Sequence, residues 1–527
     1  DGVSCVLDVG DGSSYEVGSC GVVTSRTHAY AGAGSYDVSL VASDPEGAEG
    51  EATGSVVVTS ATDGVDPNGA PVVESLSVSP SEVGVGSVVT FAWRVVDPDG
   101  DGVSCVLDVG DGSSYEVGAC GVVTSRTHAY VGAGSYDVSL EASDPHDATG
   151  DAATVVDVIA FDAVAGGASF SLALDAAGDA WAWGSDGNGQ VGNGGVETAD
   201  RSTPQRVRMP EGVTFVALAA GDRHAVALDA DGRAWAWGND ASGRLGDGGT
   251  NEDQDEPVQV DLPDGVTVTR VVAGSYHTLA LDADGKAWAW GDDGQGQLGD
   301  GGSNEDRAVP VEVDMPAGVS FTDLAAGQNH SLALDHEGRA WAWGWNGNGQ
   351  LGIGGVKGNQ SVPTAVIMPA ETSFTDLAAG YGHSLAVDAT GAAWAWGWNA
   401  DGQLGIGNQE KQNQPTAVSM PANTSFTKLV AGRTHSLSVD ADGAVWAWGD
   451  DGNGRLGDGT GSASQSTPVG VEAPWSDAIT SLSAGRYHSL AVDASGRAWA
   501  WGSDTNGRLG NGGADEDAST PTAITIR

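Results

Sequence analysis

Short apolar runs of four to six residues recur along 158–527, each closed by Gly or Asp-Gly, and none carries a helical period. The second unit shows the pattern. Phe215-Val-Ala-Leu-Ala-Ala220 predicts a first strand ended by Gly221, and His224-Ala-Val-Ala-Leu-Asp229 a second. Asp231-Gly232 marks a hairpin turn. Ala234-Trp-Ala-Trp237 predicts a third strand with both indoles on one face, because side chains alternate. A Gly-rich loop leads to a fourth strand over Pro257–Leu262. Trp-Ala-Trp-Gly begins at Trp181, Trp235, Trp288, Trp341, Trp394, Trp446 and Trp499, at intervals of 52 to 54 residues. Four short strands in each of seven repeats predict an all-β fold, a seven-bladed β-propeller.

A different pattern precedes it. Ser87–Val96 and Tyr136–Ser143 alternate as half-buried strands do, with turn signals at 97–100 and 110–112. Residues 1–45 recur at 101–145 with three substitutions: Ser19/Ala119, Ala31/Val131 and Val41/Glu141. The strand-rich stretch 71–99 has no counterpart before the first copy, so the first domain is expected to be truncated. The predicted organisation is a partial immunoglobulin-like β-sandwich over 1–60, a linker over 61–70, a complete sandwich over 71–157 and the propeller over 158–527.

Two family resemblances follow. Leu107-Asp-Val-Gly-Asp-Gly112, Thr127-His-Ala-Tyr130 and Gly134-Ser-Tyr-Asp-Val138 resemble the polycystic kidney disease (PKD) domain family, with Leu107 and Leu7 where the family usually has Trp. That likeness implies an extracellular spacer or adhesion module. Ala-Gly-x-x-His-Ser-Leu-Ala, Asp-Gly-x-x-Trp-Ala-Trp-Gly and Gly-Gln-Leu-Gly resemble the regulator of chromosome condensation repeat family, most fully over 327–352. That likeness implies a propeller and, as one function, guanine nucleotide exchange on a small GTPase. The uniform repeat length weighs against exchange, since no long insertion offers a wedge to displace nucleotide.

Charge narrows the function classes. Against 72 Asp and Glu stand 22 Lys and Arg, a net charge of −50. Such a surface is a poor match for nucleic-acid phosphates and for anionic lipid headgroups. No apolar run is long enough for a transmembrane helix. The cysteines form two equally spaced pairs, Cys5/Cys20 and Cys105/Cys120, read as structural disulfides and hence as a sign of an oxidising compartment. Asp97, Asp99 and Asp101, with Asp108 at the twelfth position, fit the spacing of a calcium loop, and equally that of an acidic turn. No other cofactor is indicated.

The repeats also produce false motifs. Gly-x-Gly-x-x-Gly at 187–192, 294–299, 347–352 and 452–457 recurs with the period and precedes no helix, so it does not mark a dinucleotide site. His224, His277, His330, His383, His435 and His488 fall one per blade, too dispersed around a ring for one metal. They are expected to be turn histidines bonding backbone within their own blades, with Phe170 in the first repeat forgoing that bond. No constellation breaks the symmetry as catalysis requires, so the chain is expected not to be an enzyme.

Binding is sought where the repeats differ in exposed loops. Only repeats four and five place Trp345 and Trp398 after the Trp-Ala-Trp-Gly motif. Ile353, Ile406, Lys357 and Lys411 fall in the same two loops, predicting an apolar, less acidic patch. The alternative is that the indoles fill space at the loop base. The favoured function is a secreted or cell-surface adhesion protein binding an extracellular protein or glycan. A secreted enzyme-inhibitory or enzyme-associated module and a nucleotide exchange factor are the alternatives, a small GTPase being the disfavoured partner.

Overall fold

The computed structural model describes residues 4–19, 27–32, 34–43, 49–58, 69–121, 124–195, 199–302, 304–356, 358–461, 463–513 and 515–526. The recurring runs form seven four-stranded antiparallel sheets, each built from consecutive strands. These blades span 161–206, 215–259, 268–312, 321–365, 374–417, 426–470 and 479–523. The first strand of each lines a central channel and the fourth lies outermost.

Blade 2 again serves as example, with strands Phe215–Ala220, His224–Asp229, Ala234–Gly238 and Gln254–Gln259. The outer strand starts three residues before the expected Pro257. An edge strand tolerates Pro because the missing N–H need not meet a partner strand, so Pro257 sits inside the strand rather than opening it. The second indole of each motif fills the gap to the preceding blade. Trp237 packs with Leu172, Leu174 and Val207 of blade 1, and is fully buried. The first indole stays within its blade, where Trp235 Nε1 donates to Asp229 Oδ2 at 3.0 Å. Asp229 Oδ1 also accepts the N–H groups of Asp231 and Arg233, so one carboxylate fixes both turn and indole. The same Asp–Trp bond recurs in all seven blades.

The ring closes without strand exchange. Val164 and Gly166 N–H donate to Ser481 and Ser483 hydroxyls, and Phe161, Trp181, Leu490 and Ile524 share one core.

Before the propeller, a three-stranded sheet (Thr124–Ala129, Val88–Val96, Val72–Ser79) faces a five-stranded one (Glu82–Gly84, Thr149–Ile159, Gly134–Ser143, Ser104–Asp108, Ser114–Val117). Phe91, Trp93, Leu107, Tyr130 and Leu140 are buried between them. Cys105 and Cys120 are disulfide-bonded across 15 residues. Cys5 belongs to the first copy, and its expected partner Cys20 lies outside the described residues. The first copy forms one four-stranded sheet: Ser14–Ser19, Ser4–Asp8, Gly34–Ser43 and Glu49–Val58. Among the described residues no second sheet covers it, and Leu40 is 37% exposed where its equivalent Leu140 is 0% exposed.

The complete pair of sheets sits on the hairpin-turn face of blades 1 and 7. Glu82 and Asp179 both bond Arg206, and Arg497 donates to the Val85 and Gly86 carbonyls. The opposite face, carrying the Ala-Gly-x-x loops and the long Gly-rich loops, is left free of it.

Candidate functional site

The histidines settle first what the site is not. All six are fully buried, and none bonds backbone in its own blade. Each Nε2 meets a hydroxyl of the next blade: His224–Thr278 (3.0 Å), His277–Ser331 (2.9 Å), His330–Ser384 (3.0 Å), His383–Ser436 (3.1 Å), His435–Ser489 (3.1 Å) and His488–Ser171 (2.8 Å). Each hydroxyl donates onward to a backbone carbonyl, as Ser384 does to Gln350 at 2.8 Å. A hydroxyl has one proton, so the imidazole must donate through Nε2–H. Its Nδ1 has no hydrogen-bond partner. Burial pushes His277, His330 and His383 down to about 3, and the other three well below the ordinary value. These are neutral seam residues that no substrate can reach.

The seventh seam corrects a second expectation. Phe170 forfeits no hydrogen bond, because the residue facing it from blade 2 is Ala225 rather than a hydroxyl. Both are fully buried in one apolar cluster.

The two residues before each histidine behave differently. The position after Ala-Gly is Ala168, Asp222, Ser275, Gln328, Tyr381, Arg433 or Arg486, and all but Ala168 line one mouth of the channel. Basic and aromatic groups gather on the side of blades 5 to 7. Arg433 lies 4.9 Å from the Tyr381 ring centre and 5.5 Å from that of Tyr487, whose hydroxyl it also bonds. Arg455, Arg486 and Arg508 stand 5.2, 5.2 and 5.8 Å from the Tyr487 ring centre. Arg455 and Arg508 are buried, and burial lowers the pKa of both. Arg455 is held by Asp450 at 2.9 Å, Thr434 and the Gly452 carbonyl; Arg508 by the Thr505 and Ala168 carbonyls.

The other mouth also breaks symmetry. The third position of the first strands reads Ala163, Ala217, Arg270, Asp323, Asp376, Lys428 and Ser481. Arg270 pairs with Asp323 at 2.7 Å, and Asp376 accepts the Leu429 N–H at 2.9 Å. Burial pushes Asp376 up to about 6. Neither mouth was anticipated from the sequence. Writing the seven repeats one beneath another and reading these two columns would have found both.

The predicted Trp patch comes apart. Ile353 is 4% exposed, packed in the core with Trp396, and Ile406 lies half-buried against the core of Leu404 and Trp448. Each follows Gln-Leu-Gly, and Ile353 is turned wholly into the core, whereas Ile406 keeps part of its side chain exposed. Trp345, half-buried, folds back over Gly347, 2.6 Å from where a Cβ on that glycine would stand. Trp398 is also half-buried, its ring centre 6.3 Å from that of Tyr381, which joins it to the basic mouth. Lys411 is exposed and lines a cavity of about 490 Å³ with Asn346 and Val356. Lys357 lies outside the described residues.

The acidic loop does not gather into a cation cage. Asp97 Oδ1 accepts the N–H groups of Asp99 and Asp101, Asp99 accepts that of Gly69, and Asp108 that of Gly110. Asp101 faces His146 at 3.3 Å. Among the described residues no three acidic, histidine or cysteine side chains converge as a metal ion requires.

Comparison with known proteins bears on the propeller. The family model for the RCC1-like domain matches residues 95–422 and 263–527. The chain is 32% identical over 352 residues to the Ultraviolet-B receptor UVR8 of Arabidopsis thaliana, covering 66% of this chain and 78% of that protein. It is 30% identical over 360 residues to the Regulator of chromosome condensation of Homo sapiens, covering 64% and 83%. The human E3 ubiquitin-protein ligase HERC2 matches at 31% over 334 residues, which is 7% of its length. Among solved structures, Prp20p from Saccharomyces cerevisiae superposes with a TM-score of 0.58 at 25% identity, covering 66% of this chain and 85% of that one. That structure was described together with binding properties of Prp20p to Gsp1p and histones.

Proposed function

From the premise that this chain belongs to the RCC1-like domain family, we propose that it is a docking propeller whose free face receives a small GTPase and promotes release of its bound nucleotide. The observation that carries this reading is the channel mouth. The seams are nearly uniform, whereas Asp222, Gln328, Tyr381, Arg433 and Arg486 give one rim of the ring a directional pattern of charge and shape. A rigid ring presents such a rim without reorganising, which keeps the ordering cost of association low. The binding of Prp20p to Gsp1p supports the partner class. It also reverses the weight that uniform repeats put against a GTPase, because a rim of side chains offers contact without an inserted wedge. The test is to add the chain to Gsp1p carrying a fluorescent GDP analogue, with excess GTP. The expected result is a complex in sedimentation and nucleotide release that rises with chain concentration to a plateau. Neither complex nor release, with Gsp1p active toward Prp20p, overturns the reading.

A second reading rests on one bond. The Cys105–Cys120 disulfide favours an oxidising compartment, where the paired sheets would act as a PKD-like spacer and the propeller, with Trp345 and Trp398, would bind an extracellular protein or glycan. Alkylating free thiols during extraction from the native source separates the readings. Cys105 and Cys120 found unmodified support an extracytoplasmic location, and found alkylated they remove it.

A further inference from the structure

The basic rim has chemistry of its own that needs no protein partner. The buried guanidiniums of Arg455 and Arg508 spend their donors on loop carbonyls, Thr434 and Asp450. Arg433 and Arg486 are not consumed in this way. Among the described residues Arg433 bonds only the Tyr487 hydroxyl through its side chain, and its buried Nε–H meets no acceptor. Arg486 approaches Asp222 at a loose 3.6 Å, and its buried Nε–H has none either. An unpaired buried donor is costly and a buried charged donor more so, so both guanidiniums are under-satisfied among the described residues. The two side chains occupy the same position in neighbouring blades, and both guanidinium carbons lie within 5.5 Å of the Tyr487 ring centre. The Tyr381 ring also contacts Arg433, its centre 4.9 Å from the guanidinium carbon. Of the carboxylates in contact with the four arginines, Asp450 is paired with Arg455 and Asp222 stands at the edge. Ion-pair contacts therefore leave Arg433 and Arg508 without a carboxylate partner among the described residues, while Asp401, Asp451, Asp504 and Asp517 act on the cluster from farther off.

We propose that Arg433 and Arg486, with the Tyr487 side chain that both contact, form a binding site for an oxyanion, either a carboxylate or a phosphate. Planar guanidinium forks match both geometries and present paired donors to adjacent oxygens. The buried Arg455 and Arg508 supply a fixed positive field beneath the site. A surface carrying −50 repels anions elsewhere, so saturable anion binding reports this cluster rather than general adsorption.

Isothermal titration calorimetry of the full chain at low ionic strength, with inorganic phosphate in one arm and glutarate in the other, tests the site. Saturable one-to-one binding is expected in at least one arm, with Kd of about 1 mM or tighter, weakened by added sodium chloride. The arm that binds identifies a phosphate-bearing or a carboxylate-bearing ligand. Arg433→Gln/Arg486→Gln is expected to abolish binding while keeping the native circular dichroism. Arg433→Lys/Arg486→Lys, which keeps charge but loses the forks, is expected to bind about tenfold more weakly. No saturable binding in either arm, or equal affinity in the Gln/Gln variant, overturns the site. Gsp1p binding is read separately, so loss of one does not entail loss of the other.

Discussion

In six of the seven repeats a seam histidine and a channel-mouth residue stand two positions apart, yet their environments differ sharply. The seam is sealed, neutral and repeated. Its hydrogen bonds run from imidazole to hydroxyl to carbonyl around six of the seven junctions. The mouth is partly exposed, polar over most of its rim and varied from blade to blade, with Arg repeated only in blades 6 and 7. The lesson is that symmetry belongs to what holds the ring and asymmetry to what the ring can recognise. The Phe170–Ala225 junction sharpens it, because there the seam changes both partners together and leaves no polar group stranded.

Substitutions can break that division, beginning with the seam. His330→Ala leaves a cavity and strips Ser384 of its donor, and is expected to cost about 3 kcal/mol in urea unfolding. Phe170→His places an imidazole against Ala225 with nothing to accept its proton, and should cost about 2 kcal/mol. Adding Ala225→Ser should recover most of that loss by recreating the common seam. If it recovers none, the two positions do not act as a pair. Conversely, His330→Phe with Ser384→Ala copies the apolar junction and should cost about 1 kcal/mol, well below His330→Ala alone.

The same double variant should flatten the acid limb of stability. A histidine near 3 when folded and 6.5 when unfolded binds protons only in the unfolded chain between those values. Its share of stability is therefore intact above pH 6.5 and declines as pH falls toward 3. Each histidine adds a slope of about 1.4 kcal/mol per pH unit within that window. Asp376, raised to about 6, acts in the opposite sense, gaining stability as pH falls from about 6, so the comparison with the variant isolates the imidazole. Equal slopes for the two proteins would contradict a neutral seam. The smallest effect belongs to the mouth. Arg433→Gln/Arg486→Gln should change unfolding free energy by less than about 0.5 kcal/mol, since both side chains are partly exposed and take no part in the imidazole–hydroxyl junctions. A larger loss would mean that the mouth also holds the ring.

The repeat period, the strand order and the blade count were legible because alternation and turn residues repeat seven times, so a misreading in one unit is outvoted by six. The hairpin was legible from Asp231-Gly232, but the bond from Trp235 to Asp229 was not, because a turn signal says nothing about what a neighbouring carboxylate will hold. The seam was hidden for a definable reason. His330 meets Ser384, 54 residues on, so its partner lies in the next repeat rather than beside it. Phe170 and Ala225 carried that signal, but only if residues one repeat apart were read as a pair. At the candidate site Trp398 stands out in the sequence by its type, whereas Arg433 and Arg486 do not, because their importance lies in contacts with Tyr381 and Tyr487 that are made across blades. Ile353 misled because an apolar residue in a Gly-rich loop can turn inward as readily as outward.

Each blade is made of consecutive strands, so the ring's last junction differs from the rest in kinetics rather than in chemistry. His488 and Ser171 are 317 residues apart, against 54 for His330 and Ser384. Joining the more distant pair costs roughly 1 to 2 kcal/mol more in chain entropy for a similar hydrogen bond. Six junctions can form as each blade emerges during synthesis, whereas the seventh must wait for blade 7. It is then the place where the circle should open first and most often, so the blade 1–7 border is where hydrogen exchange should first report breathing of the ring.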